Sequence, residues 1–293
     1  MKFGIQTPVL SLVPGGHAPW EVDGTIDDVR QIAQAADRLG FDYLTCSEHM
    51  AIPEEGMDLP GPRYWDPLST FGYLAAHTSR IALTTSVLVL GYHHPLEIAK
   101  RFGTLDRICD GRLIMGVGAG YLEKEFELLG TPFADRGPRA DDAIRAIRAS
   151  FGRRTPAYDG PFYHFEGIVV DPCALQAPAP IWIGGRSVRS LRRAVELADG
   201  WCPFATSPRR AAAWLAQARA TDAWEARDRP LEVVLAHRDP LDPSARPDAT
   251  AAVVAELREA GVTAVSLRFV HRSLAHYVEQ LEAMAALMAG LGH

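Results

Sequence analysis

Glu48 and His49 stand side by side where an apolar, β-branched run, Asp42–Ser47, gives way to a loop. A carboxylate and an imidazole at a strand end can orient, hold or transfer a proton beside a ligand. Neighbouring strand residues face opposite sides, so the two are expected to serve different partners. The plain alternative is that Glu48 pairs with an arginine and His49 is a satisfied polar residue. A second set is Gly184-Gly185-Arg186-Ser187, followed by Val188 at the start of a helical pattern. Two glycines let a ligand approach the backbone, Ser187 is expected to cap the helix, and the free N–H groups there favour an anion. Arg186 and Arg189 add positive charge. A third set is Gly116-Val117-Gly118-Ala119-Gly120, then Tyr121. Small residues at that point would admit a flat ring or a phosphate close to the chain. For both glycine sets the plain alternative is an ordinary tight turn from strand to helix.

These groups need elements to hold them. Strand-like runs and helical patterns alternate throughout the chain. The predicted strands are Phe3–Thr7, Asp42–Ser47, Ile81–Val89, Arg112–Val117, Ile181–Gly184, Gly200–Phe204, Leu231–Ala236 and Ala264–Phe269. The predicted helices include one capped by Thr25 and closed by Gly40, then Asp66–Ser79, Pro95–Cys109, Leu122–Leu129, Arg139–Phe151, Ser187–Ala198, Pro208–Arg227, Ala249–Ala260 and Leu274–Leu287. Residues 155–175 break the alternation after the fourth strand. They read as an inserted hairpin of Phe162–Phe165 against Ile168–Asp171. Eight strands, each followed by a helix, predict a closed (β/α)8 TIM barrel forming one domain over residues 1–293. An open doubly wound sheet is the alternative, but no G-x-G-x-x-G follows the first strand. In a barrel the reactive groups sit at the C-terminal strand ends, which is where the three sets above fall.

Several chemistries lack their residues. The first strand carries no His-x-His for a metal, and the adjacent His93-His94 in a loop suit one metal poorly. There is no G-x-S-x-G nucleophile elbow. The only lysines, Lys2, Lys100 and Lys124, lie away from strand C-termini, which disfavours a Schiff base. A net charge of −6 argues against nucleic acid or an anionic membrane as partner. The start of the chain shows no signal-peptide pattern, and no apolar run reaches membrane-spanning length. A cytoplasmic protein with reduced, mostly buried cysteines (Cys46, Cys109, Cys173, Cys202) is therefore expected.

Taken in order, several short motifs resemble the luciferase-like monooxygenase superfamily, and more closely its branch that uses the deazaflavin coenzyme F420. They include Lys2-Phe3-Gly4-Ile5, Ala35-Ala36-Asp37-Arg38-Leu39-Gly40, Ser47-Glu48-His49, Trp65-Asp66-Pro67 and Pro95-Leu96-Glu97-Ile98-Ala99-Lys100. They continue with Leu105-Asp106-Arg107, Gly116-Val117-Gly118-Ala119-Gly120-Tyr121, Pro180-Ile181-Trp182-Ile183-Gly184-Gly185 and Ala198-Asp199-Gly200-Trp201. The match spans about Met1–Phe204. The resemblance implies F420, with FMN as the alternative, seated in the barrel mouth. It implies a non-proline cis peptide at Ser86–Val87 beneath the ring, with Thr85 beside it. Gly118, Ala119 and Gly120 would flank the ring, and Gly184, Gly185, Arg186, Ser187 and Val188 would cradle the phosphate. His49 would stand next to the reactive ring carbon, Glu48 would be an acidic cofactor contact, and Tyr121 a second polar group.

Three functions are then expected to compete: an F420-dependent oxidoreductase acting on a small organic substrate, an FMN-dependent monooxygenase fed by a separate reductase, and a non-catalytic flavin-binding barrel. Among the sugar-phosphate dehydrogenases of the superfamily, an acid occupies the place of Tyr121 and a tryptophan that of Pro53, which disfavours glucose 6-phosphate here. Related proteins are commonly homodimers. Pro53–Tyr64 and the hairpin region are expected to cap the mouth.

Overall fold

The computed structural model describes residues 1–54 and 61–291. Eight parallel strands close into a barrel: β1 (Lys2–Gln6), β2 (Tyr43–Cys46), β3 (Ala82–Thr85), β4 (Leu113–Gly118), β5 (Ile181–Gly185), β6 (Gly200–Pro203), β7 (Glu232–Ala236) and β8 (Ala264–Leu267). Each pairs with its sequence neighbours, and β1 closes the ring on β8 with Lys2 opposite Ala264 and Ile5 opposite Leu267. The helices form the outer ring: α1 (Ile26–Leu39), α2 (Pro67–Ala75), α3 (Pro95–Ile108), α4 (Glu123–Leu128), α5 (Arg136–Ser150), α6 (Val188–Leu197), α7 (Pro208–Arg219), α8 (Asp222–Glu225), α9 (Pro247–Glu259) and α10 (Leu274–Gly290).

Local chemistry explains most boundaries. Thr25 caps α1 in a reciprocal box with Asp28, and Gly40 ends it in the left-handed region at φ 87°. Two apolar layers hold the barrel. The outer one lies between strands and helices and includes Phe3, Ile5, Leu44, Leu83, Met115, Ile183, Val233 and Val265. The inner one is a plug of Tyr43, Trp182, Val234 and Ala264, with Tyr43 and Trp182 edge to face at 5.1 Å. Gly4 is what admits the plug, because a Cβ there would lie 2.2 Å from the Tyr43 ring.

Acids from the short motifs, of which Asp106 is buried, tie the rest together. Asp37 accepts from the backbone N–H groups of Ser79, Arg80 and Ile81. Asp106 accepts from Leu175 N, Gln176 N and Gln176 Nε2. Asp199 accepts from Ile181 N and Arg148. These carboxylates set where strands and connections begin, so the motifs bear on fold before chemistry.

Four expectations need correction. The predicted strand Ile81–Val89 is broken into Ala82–Thr85 and Leu88–Val89, with a cis Ser86–Val87 peptide between. The inserted hairpin pairs Tyr158–Asp159 with His164–Phe165, and Ile168–Asp171 forms no strand. Buried Asp142 on α5 decides that register, because it accepts from Tyr158 Oη and from the N–H groups of Phe162 and Tyr163. The predicted helix Pro208–Arg227 stops at Arg219, and Thr221 caps a separate turn, Asp222–Glu225. Ser187 precedes α6 without a side-chain capping bond; the hydroxyl of Ser190 instead donates to the Ser187 carbonyl. Residues 55–60 of the expected lid lie outside the described residues.

Candidate active site

At the C-terminal rim Glu48 and His49 serve different partners, as expected, but not through strand alternation. β2 ends at Cys46, and the two side chains leave the following turn toward different partners. Glu48 is buried. Its Oε2 accepts from Val89 N at 2.7 Å, and its Oε1 lies 2.8 Å from His93 Nε2. The arginine partner considered for Glu48 is absent among the described residues. The two oxygens of Glu48 clamp the β2 end to the turn after β3. His94, the other member of the histidine pair, accepts from Leu96 N and caps α3.

His49 turns the other way. Its Nδ1 lies 2.7 Å from Glu125 Oε2 on α4. Its ring meets Tyr64 edge-on at 4.5 Å and Tyr121 at 5.9 Å. Tyr92 Oη donates to the same Glu125 oxygen at 2.6 Å. Burial alone would raise the Glu125 carboxyl, but the hydrogen bonds from His49 and Tyr92 more than offset it and hold it below the usual glutamate range. Burial pushes the Tyr64 hydroxyl up to about 12 and also raises Tyr92 and Tyr121, so all three phenols are neutral donors at neutral pH. Tyr121 is half exposed and lies under the Arg186 guanidinium, 5.7 Å from its ring centre. It thereby joins the segment after β4 to the one after β5.

Below this rim, Gln6, Tyr43, Thr45, Thr84, Thr85, Ser86 and Ser266 help to line a cavity of about 40 Å³. That holds a water or two and no ring, so a flat cofactor would lie above it. Trp182, Cys202, Pro203, Phe204, Val234 and Ala236 supply the rest of the lining, so β7 and β8, which lie beyond the motif match, also contribute to the floor through Val234, Ala236 and Ser266. Ser47 Oγ donates to the Ser86 carbonyl at 2.8 Å, and Thr85 Oγ1 to the Gly116 carbonyl at 2.7 Å, which hold the Ser86–Val87 segment in place.

The glycines serve this segment more than open space. A Cβ on Gly116 would meet Thr85 O at 1.9 Å; one on Gly118 or Gly184 would meet Val87 methyls at 2.8 or 2.7 Å. Gly120 makes room for Phe126 on α4, and Ala119 packs on the core. The reading of Gly118, Gly120 and Gly184 as clearance for a ligand is therefore revised: they seat Val87 and Phe126. The turn after β5 fits an anion better. Gly185 takes φ 142°, Ser187 has no capping bond, Val188 is exposed at the first turn of α6, and Arg186 and Arg189 flank it. Beside it lies a cleft of about 490 Å³ lined by Asp141, Val188, Arg189, Arg192, Arg193 and Glu196.

Sequence reasoning missed Glu125, Tyr92 and Tyr64, and took His93 only for a loop residue, not for the buried partner of Glu48. Glu125 sits in a helix read only as a scaffold, between Glu123 and Glu127, and nothing local marks the inward member of the three.

The chain belongs to the luciferase-like monooxygenase family, whose model matches residues 1–239. Two uncharacterised proteins of Mycobacterium tuberculosis are similar to it. One is 30% identical over 182 residues, 58% of this chain and 62% of that protein. The other is 31% identical over 271 residues, 87% of this chain and 92% of that protein. An F420-dependent glucose-6-phosphate dehydrogenase of Microbacterium testaceum is 31% identical over 57% of this chain and 49% of its own length. An FMNH(2)-dependent dimethylsulfone monooxygenase of Pseudomonas putida is 27% identical over 62% and 48%. Monooxygenase RslO1 from Streptomyces bottropensis superposes over the full length of both chains with a TM-score of 0.81 at 21% identity, a likeness of fold. The dehydrogenase and the dimethylsulfone monooxygenase are enzymes, one named for F420 and the other for FMNH(2). No helix among the described residues is long and apolar enough to cross a membrane.

Proposed function

We propose that this protein is an F420-dependent oxidoreductase that moves a hydride between the deazaflavin and a small organic substrate. The observation that carries the reading is His49, held at the barrel mouth by an ionised Glu125 and flanked by Tyr64 and Tyr121. When bound, the cofactor supplies the hydride chemistry. The protein supplies the coupled proton, which His49 gives or takes. Tyr121, neutral and half exposed beside it, orients the substrate's polar group. Ser187, the first-turn N–H groups of α6 and Arg186 bind the phosphate, while Thr85, Ser86 and Val87 support the ring from below and Ala119 borders it. A storage barrel has no use for such a buried imidazole–carboxylate pair, which disfavours a non-catalytic role. A partner reductase belongs to the second reading, an FMN-dependent monooxygenase, which the 27% relative named for FMNH(2) favours.

Titration of the purified apo-protein with F420 and with FMN separates the two. F420 is expected to bind with a sub-micromolar dissociation constant, and sub-micromolar FMN binding with no F420 binding would overturn the reading. In His49→Ala, turnover is expected to fall by about 10²-fold or more while the cofactor binding curve stays intact. Unchanged turnover would remove the role given to His49.

A further inference from the structure

Glu125 has no solvent exposure and accepts from four donors. Oε2 receives His49 Nδ1 at 2.7 Å and Tyr92 Oη at 2.6 Å. Oε1 receives the backbone N–H groups of Met50 and of Ala51, the latter at 3.1 Å. An ionised carboxylate can only accept, and four donors fill its four lone-pair positions. The His49 nitrogen that faces it must therefore carry a proton. Nε2, which has no hydrogen-bond partner among the described residues, is left as the nitrogen that can exchange one.

We propose that Glu125 is the positioning residue of this site: it holds His49 in the Nδ1–H tautomer and, through its second oxygen, ties down the start of the chain segment that leads to Tyr64. One carboxylate thus registers both the proton-exchanging nitrogen and the backbone at Met50 and Ala51 that follows His49. Tyr92 braces the carboxylate from the other side; its ring is edge-on to Phe126 at 5.0 Å, next to Glu125 on α4. The inference rests on the reading of His49 as the proton-transfer group, but the tautomer itself does not depend on any cofactor.

Glu125→Gln makes the test sharp because it nearly preserves shape while removing one acceptor. The Met50 and Ala51 N–H groups cannot become acceptors, so the single carbonyl of glutamine must face them. Its NH₂ then faces His49, which has to accept at Nδ1 and move its proton to Nε2; the Tyr92 hydroxyl can turn to accept. The readout is the two-bond ¹H–¹⁵N pattern of ¹⁵N-histidine-labelled apo-protein at a pH where the ring is neutral. The His49 signals are assigned by their loss in His49→Ala. The wild-type protein is expected to show Nδ1–H, and Glu125→Gln to show mostly Nε2–H. With the cofactor-loaded protein, kcat should fall at least about tenfold while the cofactor dissociation constant stays within about twofold. An Nε2–H pattern in the wild-type protein overturns the proposal even if Glu125→Gln fails to fold. So does an unchanged tautomer in the variant. Should neither F420 nor FMN be turned over, the tautomer result still stands, and only the functional reading falls.

Discussion

Removing His93 should measurably destabilise the protein. Glu48 and His93 bury one another, with side-chain exposures of 3% and 6%. In His93→Ala, Glu48 Oε2 keeps its bond from Val89 N, but Oε1 loses its partner in a place with little water. Deleting one member of a buried, hydrogen-bonded pair costs about 3–5 kcal/mol. The retained Val89 bond, and the room that the lost ring leaves for a water, put the expected loss near the lower end, about 3 kcal/mol. Glu48→Gln keeps an acceptor for Val89 N and should cost less. The double variant should lose less than the sum of the singles, by on the order of 1–2 kcal/mol, because the uncompensated carboxylate no longer exists. Equilibrium urea unfolding at neutral pH measures all four proteins. A loss below about 1 kcal/mol in His93→Ala, or additivity within about 0.5 kcal/mol, would refute the clamp.

Two further outcomes follow from the packing. His271 is pressed down to about 4, chiefly by burial and also by His276, while Trp20 Nε1 donates to its Nδ1 at 2.9 Å. Its native pKa lies below the unfolded value of about 6.5, so the unfolded chain takes up a proton that the native ring refuses. Stability is then expected to fall as pH drops from about 6.5 toward 4 and to be insensitive to this group above that range. Neighbouring Glu21 is raised by burial and weighs in the opposite sense, so the comparison is with His271→Phe, which keeps the ring contact with Tyr277. The variant should show a shallower loss in pH-dependent unfolding, and an identical profile would count against the assignment. Gly184→Ala would force a Cβ to 2.7 Å from Val87 and 2.9 Å from Phe204. Overpacking of this kind costs about 1–3 kcal/mol. A thermal midpoint unchanged from wild type would show that the Val87 seat has slack.

Much of the architecture follows from local patterns. Alternating strand and helix periods, Pro at helix starts and Gly40 and Thr25 at helix ends dictate the eight units, because each depends only on near neighbours along the chain. The rule that barrel chemistry gathers at C-terminal strand ends then pointed to His49, Tyr121 and the turn at Gly185–Ser187 without any tertiary information. The cis peptide at Ser86–Val87 was expected on the strength of the resemblance, but the break in the third strand beside it was not.

The partnerships were not legible. His49 and Glu125 are 76 residues apart, and Glu48 and His93 are 45. Glu123, Glu125 and Glu127 look alike in sequence, and only the way α4 packs against the rim selects the middle one. Likewise, the glycines of two strand ends read as clearance for a ligand until Val87 and Phe126 are seen to fill the space. Asp142 set the hairpin register from a different helix. Sequence by itself determined the fold, the rim to inspect and the histidine singled out there, since those follow from short-range periodicity and turn chemistry. Tertiary structure alone decided which carboxylate serves that imidazole and which serves the scaffold. Two buried acids with the same side chain differ only in the donors that the closed barrel brings to them.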